Sequence, residues 1–283
     1  MASAAPTAAR AASAPGLIIN ADDFGLHARV NLAVERAFTR GVLTSASLMV
    51  GAPAARGAVE VARRHPSLRV GLHIVLADGR AVSPPSKIAS IVDQHGDFPD
   101  AMAREGVRFF FSPRARRELA IEIRAQFEAF AVTGLALDHV NTHKHFHLHP
   151  TVLSLILSIG REFGMRSMRV PCEPDAPAAL RPWLALTRAR LDRAGIAHNR
   201  FVVGVRHTGA MDERALLDAL ATLPDGLNEI YLHPAVEGDG PITPSMSGYR
   251  HVDELAALTS PRVKAALDRL AVRRGGFADF IHP

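Results

Sequence analysis

Short apolar runs alternate along the chain with longer stretches whose apolar residues recur at helical spacing. Residues 16–21 (GLIINA) are the first apolar run, and residues 28–40 follow with apolar residues three or four positions apart. Further strand candidates are residues 45–50, 68–76, 137–142, 167–170, 201–205, 229–232 and 277–281, and further helix candidates include residues 113–133, 151–163, 182–193, 213–222 and 261–273. This alternation predicts a parallel sheet whose strands are connected by helices.

The number of strand candidates favours a barrel over an open nucleotide-binding sheet. Neither of the glycine-rich patterns GxGxxG and GxxxxGK[ST] occurs, so no phosphate-binding loop is indicated. We predict an α/β fold: a distorted (β/α) barrel with seven or eight mostly parallel strands, formed by residues 16–283 as one domain. Residues 1–15 are rich in Ala, Ser and Pro without a continuous apolar segment, which predicts a disordered tail. The one cysteine, Cys172, cannot form an internal disulfide, which favours a reducing compartment.

Four predicted strands end in residues that bind metals or transfer protons. Asp22 and Asp23 follow the first strand, His73 lies near the end of the third, and His233 ends a late one. The strand before residue 143 leads into a segment that holds five of the 14 histidines: His139, His143, His145, His147 and His149. Because active sites of β/α barrels lie at the carboxyl ends of the strands, we expect these side chains to meet at one mouth.

Two histidines and one carboxylate with open positions form a hydrolytic metal site. Asp23, His73 and His143 suit the ligand roles. A second carboxylate can take a proton from the metal-bound water, and a further histidine can protonate the leaving group. Asp22 suits the role of base and His233 that of acid.

Each of these signals also has an ordinary structural explanation. An Asp-Asp pair after a strand is a common turn or helix cap, His73 is compatible with a core position, and His233 precedes a proline at a strand end. The histidine segment is more specific, because alternation from His143 to His149 would bring several imidazoles together. Not all of them can bind one ion, so some must contact ligands or substrate.

Other classes of function remain open on the residues alone. A metal-dependent barrel isomerase or phosphoesterase would use similar side chains, and a non-catalytic sugar- or lipid-binding module would keep the pocket. The formal net charge is +5, which attracts anionic partners. No basic run alternates with aromatic residues, so we expect no nucleic-acid partner.

Several of these stretches, taken in order, resemble the YdjC-like carbohydrate deacetylase family. They are INADDFG (19–25), TSASLMV (44–50), GLH (71–73), HVNTHKHFHLHP (139–150) and YLHP (231–234). GVRFFFSP (106–113) and LRPWL (180–184) are in addition similar to the hopanoid-biosynthesis-associated deacetylases, a subgroup of that family.

The resemblance implies a metal-dependent N-deacetylase that hydrolyses the acetamide of an N-acetylglucosaminyl group. It implies the base Asp22, the acid His233, the metal ligands Asp23, His73 and His143, and an orienting Arg169. From the histidine segment itself we expect His145 and His147 to contact the substrate. The cofactor that the resemblance implies is a divalent metal ion, Mg²⁺ or Zn²⁺.

The aromatic run Phe109–Phe111 gives an indication of whether the substrate is lipid-linked. In an extended segment it would be buried on both faces, or it would form an apolar wall at the barrel mouth to which Phe110 contributes. With the subgroup resemblance, the second interpretation predicts a lipid-linked substrate and a cytoplasmic protein in peripheral contact with the inner membrane. Deacetylation of soluble chito-oligosaccharides is the alternative, and a homodimer remains open.

Overall fold

The computed structural model describes residues 15–100 and 102–281. The predicted tail therefore lies outside the described residues, apart from its last one. The strands are β1 (Gly16–Phe24), β2 (Ser45–Leu48), β3 (Arg69–Ile74), β4 (Gly79–Arg80), β5 (Asp97–Phe98), β6 (Val140–Thr142), β7 (Phe201–Val203), β8 (Leu227–Leu232) and β9 (Arg273–Arg274). The helices are α1 (Ala28–Arg40), α2 (Ala55–Arg64), α3 (Met102–Phe111), α4 (Pro113–Val132), α5 (Pro150–Glu162), α6 (Arg181–Arg193), α7 (Glu213–Ala221), α8 (His251–Leu258) and α9 (Pro261–Arg269).

Seven of these strands form one parallel sheet, which confirms the predicted fold class. The order is β6-β3-β2-β1-β8-β7, and β9 pairs with the start of β1. The sheet curls into a barrel-like half-cylinder with helices on its outer side. Since every strand of the main sheet runs in the same direction, their carboxyl ends lie together.

Residues 167–170, which we predicted as a strand, instead make two single bridges, from Met168 to Val140 in β6 and from Ser167 to Ala197, four residues before β7. The amide of Arg169 donates to the carbonyl of Val140 in β6, at 3.1 Å. Two residues beyond this segment, the carbonyl of Cys172 accepts from Val202 in β7, at 2.9 Å. No continuous ladder forms because successive backbone groups pair with different parts of the chain.

Helix α4 begins and ends as its sequence predicts. The Ser112 side chain accepts from the Ala115 amide at 3.2 Å, and Pro113 follows at the first helical position. Gly134, with φ +71°, comes directly after the C-cap residue. Among the described residues, no helix combines the length and the apolar character that a membrane crossing requires.

In the predicted long loop, residues 77–105, the residues Val82, Ser83 and Ser90 bind side chains of α4. The buried carboxylate of Glu122 accepts from the amides of Val82 and Ser83, at 2.9 and 2.8 Å. Within this stretch β4 and β5 form a short antiparallel ribbon. Its last residues already belong to α3, so Phe109–Phe111 are helical and the strand interpretation of the aromatic run is wrong.

The predicted strand at residues 277–281 is also wrong, because a 3-10 helix (Phe277–Asp279) occupies this position. The amides of Phe277 and Ala278 donate to the Asp138 carboxylate, at 3.0 and 2.9 Å. These backbone donors are therefore not available for a sheet ladder.

Several barrel strands have an apolar outer face and a polar inner face. In β1, Leu17, Ile19 and Ala21 pack into the hydrophobic layer under the helices. Asn20 and Asp22 alternate with them, and they bind Ser47 of β2 and Arg169. Inner polar residues also occur in β2, β3, β6 and β8, whereas β7 is apolar throughout, so much of the interior holds hydrogen-bonding side chains where many barrels hold Val, Ile and Leu.

Gly71 of β3 lies on this inner face, beneath the ring of His139. A Cβ at residue 71 would collide with three atoms of the imidazole, which is itself held by hydrogen bonds on both nitrogens.

We therefore expect Gly71→Ala to lower the free energy of unfolding by about 1–3 kcal/mol through overpacking. Urea denaturation followed by circular dichroism measures this change. Gly248→Ala is the matched control, because a Cβ there meets no atom within 4 Å. Equal stability of the two variants would contradict this account of the barrel interior.

Candidate metal centre

Asp23, His73 and His143 meet at the carboxyl ends of β1, β3 and β6. Oδ1 of Asp23 lies 3.3 Å from Nε2 of His73 and 3.1 Å from Nδ1 of His143. The two imidazole nitrogens are 3.4 Å apart. All three side chains are buried, and their three donor atoms form a nearly equilateral triangle.

This triangle fits a divalent metal ion. Ligand bonds of about 2.0–2.1 Å in a tetrahedral arrangement place neighbouring donor atoms about 3.3–3.4 Å apart. The second carboxylate oxygen of Asp23 is buried without a hydrogen-bond partner in the protein. An orphaned acceptor beside two imidazoles is the expected state of a ligand set, since unpaired buried acceptors are otherwise costly.

The electrostatics of the triangle favour a cation. Burial disfavours the charged form of His143, but the Asp23 carboxylate outweighs burial and raises the pKa of His143 to about 9. Burial likewise opposes ionisation of Asp23, and the His143 and His73 imidazoles outweigh it and hold the pKa of Asp23 well below its ordinary range.

The segment after β6 turns sharply and is not extended. Residues His143–Leu148 form a 3-10 helix in which Lys144 and His145 have φ values of 53° and 55°. The alternation we predicted for the histidines is therefore wrong. His143 and His147 are buried near the mouth, whereas the His149 ring lies against Phe109 and Phe110.

Asp22 lies beside the triangle and pairs with Arg169. The guanidinium donates to both carboxylate oxygens, at 2.6 and 2.8 Å. Burial opposes ionisation, but Arg169 outweighs it and lowers the pKa of Asp22. Arg169 in turn donates twice to Glu229 of β8, at 2.7 and 3.0 Å. The structure thus joins the predicted base to the predicted orienting arginine.

His145 and His147 lie beside the triangle and outside it. Nε2 of His145 is 3.3 Å from the Tyr231 hydroxyl, and Nδ1 of His147 is 2.8 Å from the hydroxyl of Thr142. Burial lowers the pKa of His145 to about 3, with a further contribution from Arg169. Both rings are therefore neutral polar groups near the mouth.

His233 faces the triangle from the end of β8. Its Nε2 is 3.9 Å from the free oxygen Oδ2 of Asp23, and its Nδ1 has no hydrogen-bond partner. Burial lowers the pKa of His233, and the Asp23 and Asp22 carboxylates offset part of that effect. Tyr249 lies against the ring, with centroids 5.3 Å apart.

Sequence reasoning missed several polar residues inside the barrel. They are Asn20 and Ser47, the adjacent pair Asp138 and His139, and Glu229, and all of them are buried. A signal for them exists: in the strands, polar residues or Gly occupy every second position, as in SAS, GLH and HVNTH. In these runs we assigned roles at the site only to His73 and His143.

Asp78 is a further missed residue, and it lies beside the site. Its carboxylate is 3.9 Å from Nε2 of His143, on the side of the ring away from the triangle. It also accepts from Lys144 at 2.9 Å and from the Ser245 hydroxyl at 2.6 Å. A carboxylate behind a ligating imidazole is the usual support of a metal site.

Phe110 does not contact the triangle. It lies near the carboxyl end of α3, 44% exposed, with its ring 6.2 Å from that of His149 and 5.0 Å from that of Phe111. Phe111 is 74% exposed. Phe110 thus lies against the end of the segment that begins with His143, and Phe111 extends from it towards solvent.

The chain is similar to several known proteins. A carbohydrate deacetylase from Brevibacillus brevis is 33% identical over 88% of this chain and 92% of the relative. A chitooligosaccharide deacetylase from Yersinia enterocolitica is 32% identical over 93% of this chain and 98% of the relative. The crystal structure of a proposed cellobiose-phosphate cleavage protein from Enterococcus faecalis V583 superposes with a TM-score of 0.78, at 25% identity, over 95% of this chain and all of the other. The family model described as YdjC-like protein matches residues 16–269, so the chain belongs to the YdjC-like protein family.

Proposed function

We propose that this protein is a metal-dependent carbohydrate deacetylase that hydrolyses the acetamide of an N-acetylglucosaminyl group. The observation that carries the proposal is the triangle of Asp23, His73 and His143, with the ionised carboxylate of Asp22 beside it. The names of the Brevibacillus and Yersinia relatives support the choice of an acetamide on a sugar. The same triangle without those relatives would also suit other metal-dependent hydrolases.

In this proposal Asp23, His73 and His143 hold the ion. A divalent ion bound there supplies a Lewis acid for the acetyl carbonyl and lowers the pKa of a coordinated water. Asp22 takes the proton of the attacking water, and Arg169 keeps its carboxylate ionised and oriented. Nε2 of His233 carries the proton that the departing amine receives, so acetate and a free amine are the products.

The donor set bears on the choice of metal. Two imidazoles and one carboxylate suit Zn²⁺, whereas Mg²⁺ prefers oxygen ligands. We propose Zn²⁺ or Mg²⁺, and the imidazole donors favour zinc. His145 and His147 are proposed to contact the substrate, because both are neutral and lie beside the triangle.

We expect His143→Ala to lose bound divalent metal and deacetylase activity together, because it removes one donor of the triangle. Metal content by mass spectrometry and acetate release from N-acetylglucosaminyl oligosaccharides measure the two effects. His149→Ala is the matched control from the same segment and should keep both. Full metal occupancy in His143→Ala would refute the proposed ligand set.

Asp22→Asn should retain the metal and reduce kcat by about 10²–10⁴-fold, the usual contribution of a general base. The amide can still accept from Arg169 but cannot take a proton from water. Metal content and single-turnover acetate release distinguish this outcome from a folding defect. Near-normal turnover would show that Asp22 is not the base and only pairs with Arg169.

We further propose that the acetylated sugar is lipid-linked, as in the hopanoid-associated subgroup that the sequence resembles. The support is an exposed apolar rim made of Phe110, Phe111 and Trp183. The Trp183 indole donates to the carbonyl of Leu148 at 2.9 Å and is 40% exposed. The rim therefore flanks residues 148–149, just after the segment that carries His143.

Basic side chains accompany this rim. The Arg116 guanidinium lies 5.7 Å from the centre of the Phe110 ring and also binds the backbone at the end of α3. Exposed aromatics next to arginines suit the surface of an anionic membrane. We propose peripheral contact through the rim, with the barrel mouth facing the lipid-linked sugar. A soluble chito-oligosaccharide is the second candidate substrate, and the Yersinia relative's name favours it.

Phe110→Ser should lower kcat/KM for a lipid-linked N-acetylglucosamine selectively and leave that for free chito-oligosaccharides unchanged. The physical reason is loss of apolar area on the rim only. Val132→Ser is the matched control, because Val132 is 85% exposed at the carboxyl end of α4, at the opposite end of the barrel. Preference of the unmodified protein for free chito-oligosaccharides would remove the lipid proposal and leave the deacetylase.

A further inference from the structure

A continuous chain of hydrogen bonds crosses the barrel from its amino-terminal end to the metal triangle. Asp138 binds Nδ1 of His139 at 2.9 Å, and Nε2 of His139 binds the Ser47 hydroxyl at 2.9 Å. Ser47 binds the side-chain amide of Asn141 at 2.9 Å, and the same amide binds Nδ1 of His73 at 2.6 Å. Every member is buried, and the last is one of the three proposed metal ligands.

The first three members resemble a hydrolytic Ser-His-Asp triad, but they cannot act as one. Ser47 has no solvent-exposed surface, and its oxygen is surrounded by the side chains of Asn20, Asn141 and His139. No substrate carbonyl can reach it. These three residues can therefore act only through the side chains that they bind, such as the Asn141 amide.

Two carboxylates determine the direction of every hydrogen bond in the chain. Asp138 is an acceptor only, so Nδ1 of His139 carries the hydrogen and Nε2 presents its lone pair. Ser47 must then donate to that nitrogen. At the other side, Asp22 accepts from Nδ2 of Asn20 at 2.8 Å, which turns the second hydrogen of that amide towards Ser47 at 2.9 Å.

Ser47 has then used its hydrogen and one lone pair, and its remaining lone pair requires a donor from Asn141. The NH₂ group of Asn141 therefore faces Ser47, and its oxygen faces Nδ1 of His73. With its hydrogen on Nδ1, His73 presents an unprotonated Nε2 to the triangle. That is the form an imidazole needs to bind a metal.

The opposite orientation of the Asn141 amide would place its oxygen 3.0–3.1 Å from Nη1 and Nη2 of Arg169. Both hydrogens of Nη2 and one of Nη1 already go to Asp22 and Glu229, which leaves one Nη1 hydrogen for that oxygen. Against this single contact, the reversed amide would set its oxygen 3.3 Å from Oδ1 of the Asp22 carboxylate, to which the NH₂ group donates in the other orientation. The reversed amide would also make Ser47 donate to Asn141, which forces a hydrogen onto both nitrogens of His139. The orientation with oxygen towards His73 satisfies the chain with neutral imidazoles.

We propose that Ser47, His139 and Asp138 form a positioning relay that fixes the Asn141 amide and, through it, the metal-binding tautomer of His73. The inference deepens the proposed function, since it rests on the metal centre proposed there. Asp138 suits the starting point of the relay. Burial opposes its ionisation, but hydrogen bonds from His139, Phe277 and Ala278 lower its pKa.

The decisive experiment compares Ser47→Ala in two backgrounds. In the natural sequence it frees the Asn141 amide to rotate, and zinc affinity should fall about 10–100-fold, as for loss of other supporting contacts at metal sites. In an Asn141→Asp background, either carboxylate oxygen can accept from His73, so the same change should leave zinc affinity unaltered. Competition with a chromophoric zinc chelator measures both. Ser45→Ala, on the same strand with a buried hydroxyl that has no partner, is the control and should bind zinc normally.

Equal losses in the two backgrounds would indicate general damage to packing and overturn the relay. No loss in either background would overturn it too.

A second measurement needs neither metal nor turnover. Nitrogen-15 chemical shifts of the imidazoles in the metal-free protein should show His139 with hydrogen on Nδ1 and a bare Nε2. A hydrogen on Nε2 of His139 would overturn the relay. Failure of the unmodified protein to bind zinc, with this His139 pattern intact, would instead count against the proposed metal centre.

Discussion

The buried guanidinium of Arg169 between Asp22 and Glu229 is the interaction on which the rest of the structure depends. It joins the neighbouring strands β1 and β8 to residues 167–170, which bridge to β6 at one edge of the sheet. A buried arginine is tolerated only when its charge and its donors are satisfied. Four side-chain hydrogen bonds to two carboxylates meet that condition, and they leave Asp22 ionised beside the metal triangle.

Backbone strain is concentrated at the same end of the barrel. Among the described residues, the non-glycine positions with positive φ are Asp23, Asp78, Lys144 and His145. Such conformations cost of order 1–3 kcal/mol each and persist where surrounding contacts impose them. Here Lys144 binds Asp78, so two of the strained residues contact each other, and Asp23 lies against the imidazoles of His73 and His143. The strain brings a carboxylate and two histidines to one point that regular strands alone would not reach.

Much of this arrangement follows from the sequence. Apolar runs and helical stripes predict the order of the elements, and the rule that barrel sites lie at carboxyl strand ends groups Asp23, His73 and His143. Three features could not be obtained that way. The left-handed turn at Lys144 depends on its contact with Asp78. The helical state of residues 109–111 depends on packing against the segment after β6. Residues 277 and 278 are held by the carboxylate of Asp138, which is far away in sequence. Each is imposed by a tertiary contact that overrides local preference.

The inner residues of the strands show a different limit. The alternation of polar and apolar residues in β1, β2 and β6 is visible in the sequence, yet it is normally the mark of a sheet with one solvated face. In a curled sheet covered by helices, the same pattern means that the polar face is enclosed. Its side chains must then find their hydrogen-bond partners among one another. Asn20, Ser47 and Asn141 do so by bonding across strands. In the relay that we propose, the fixed directions of those bonds also decide which nitrogen of His73 carries the hydrogen. Stability and chemistry therefore use the same side chains, and a substitution in this interior that ignores hydrogen-bond direction would disturb both.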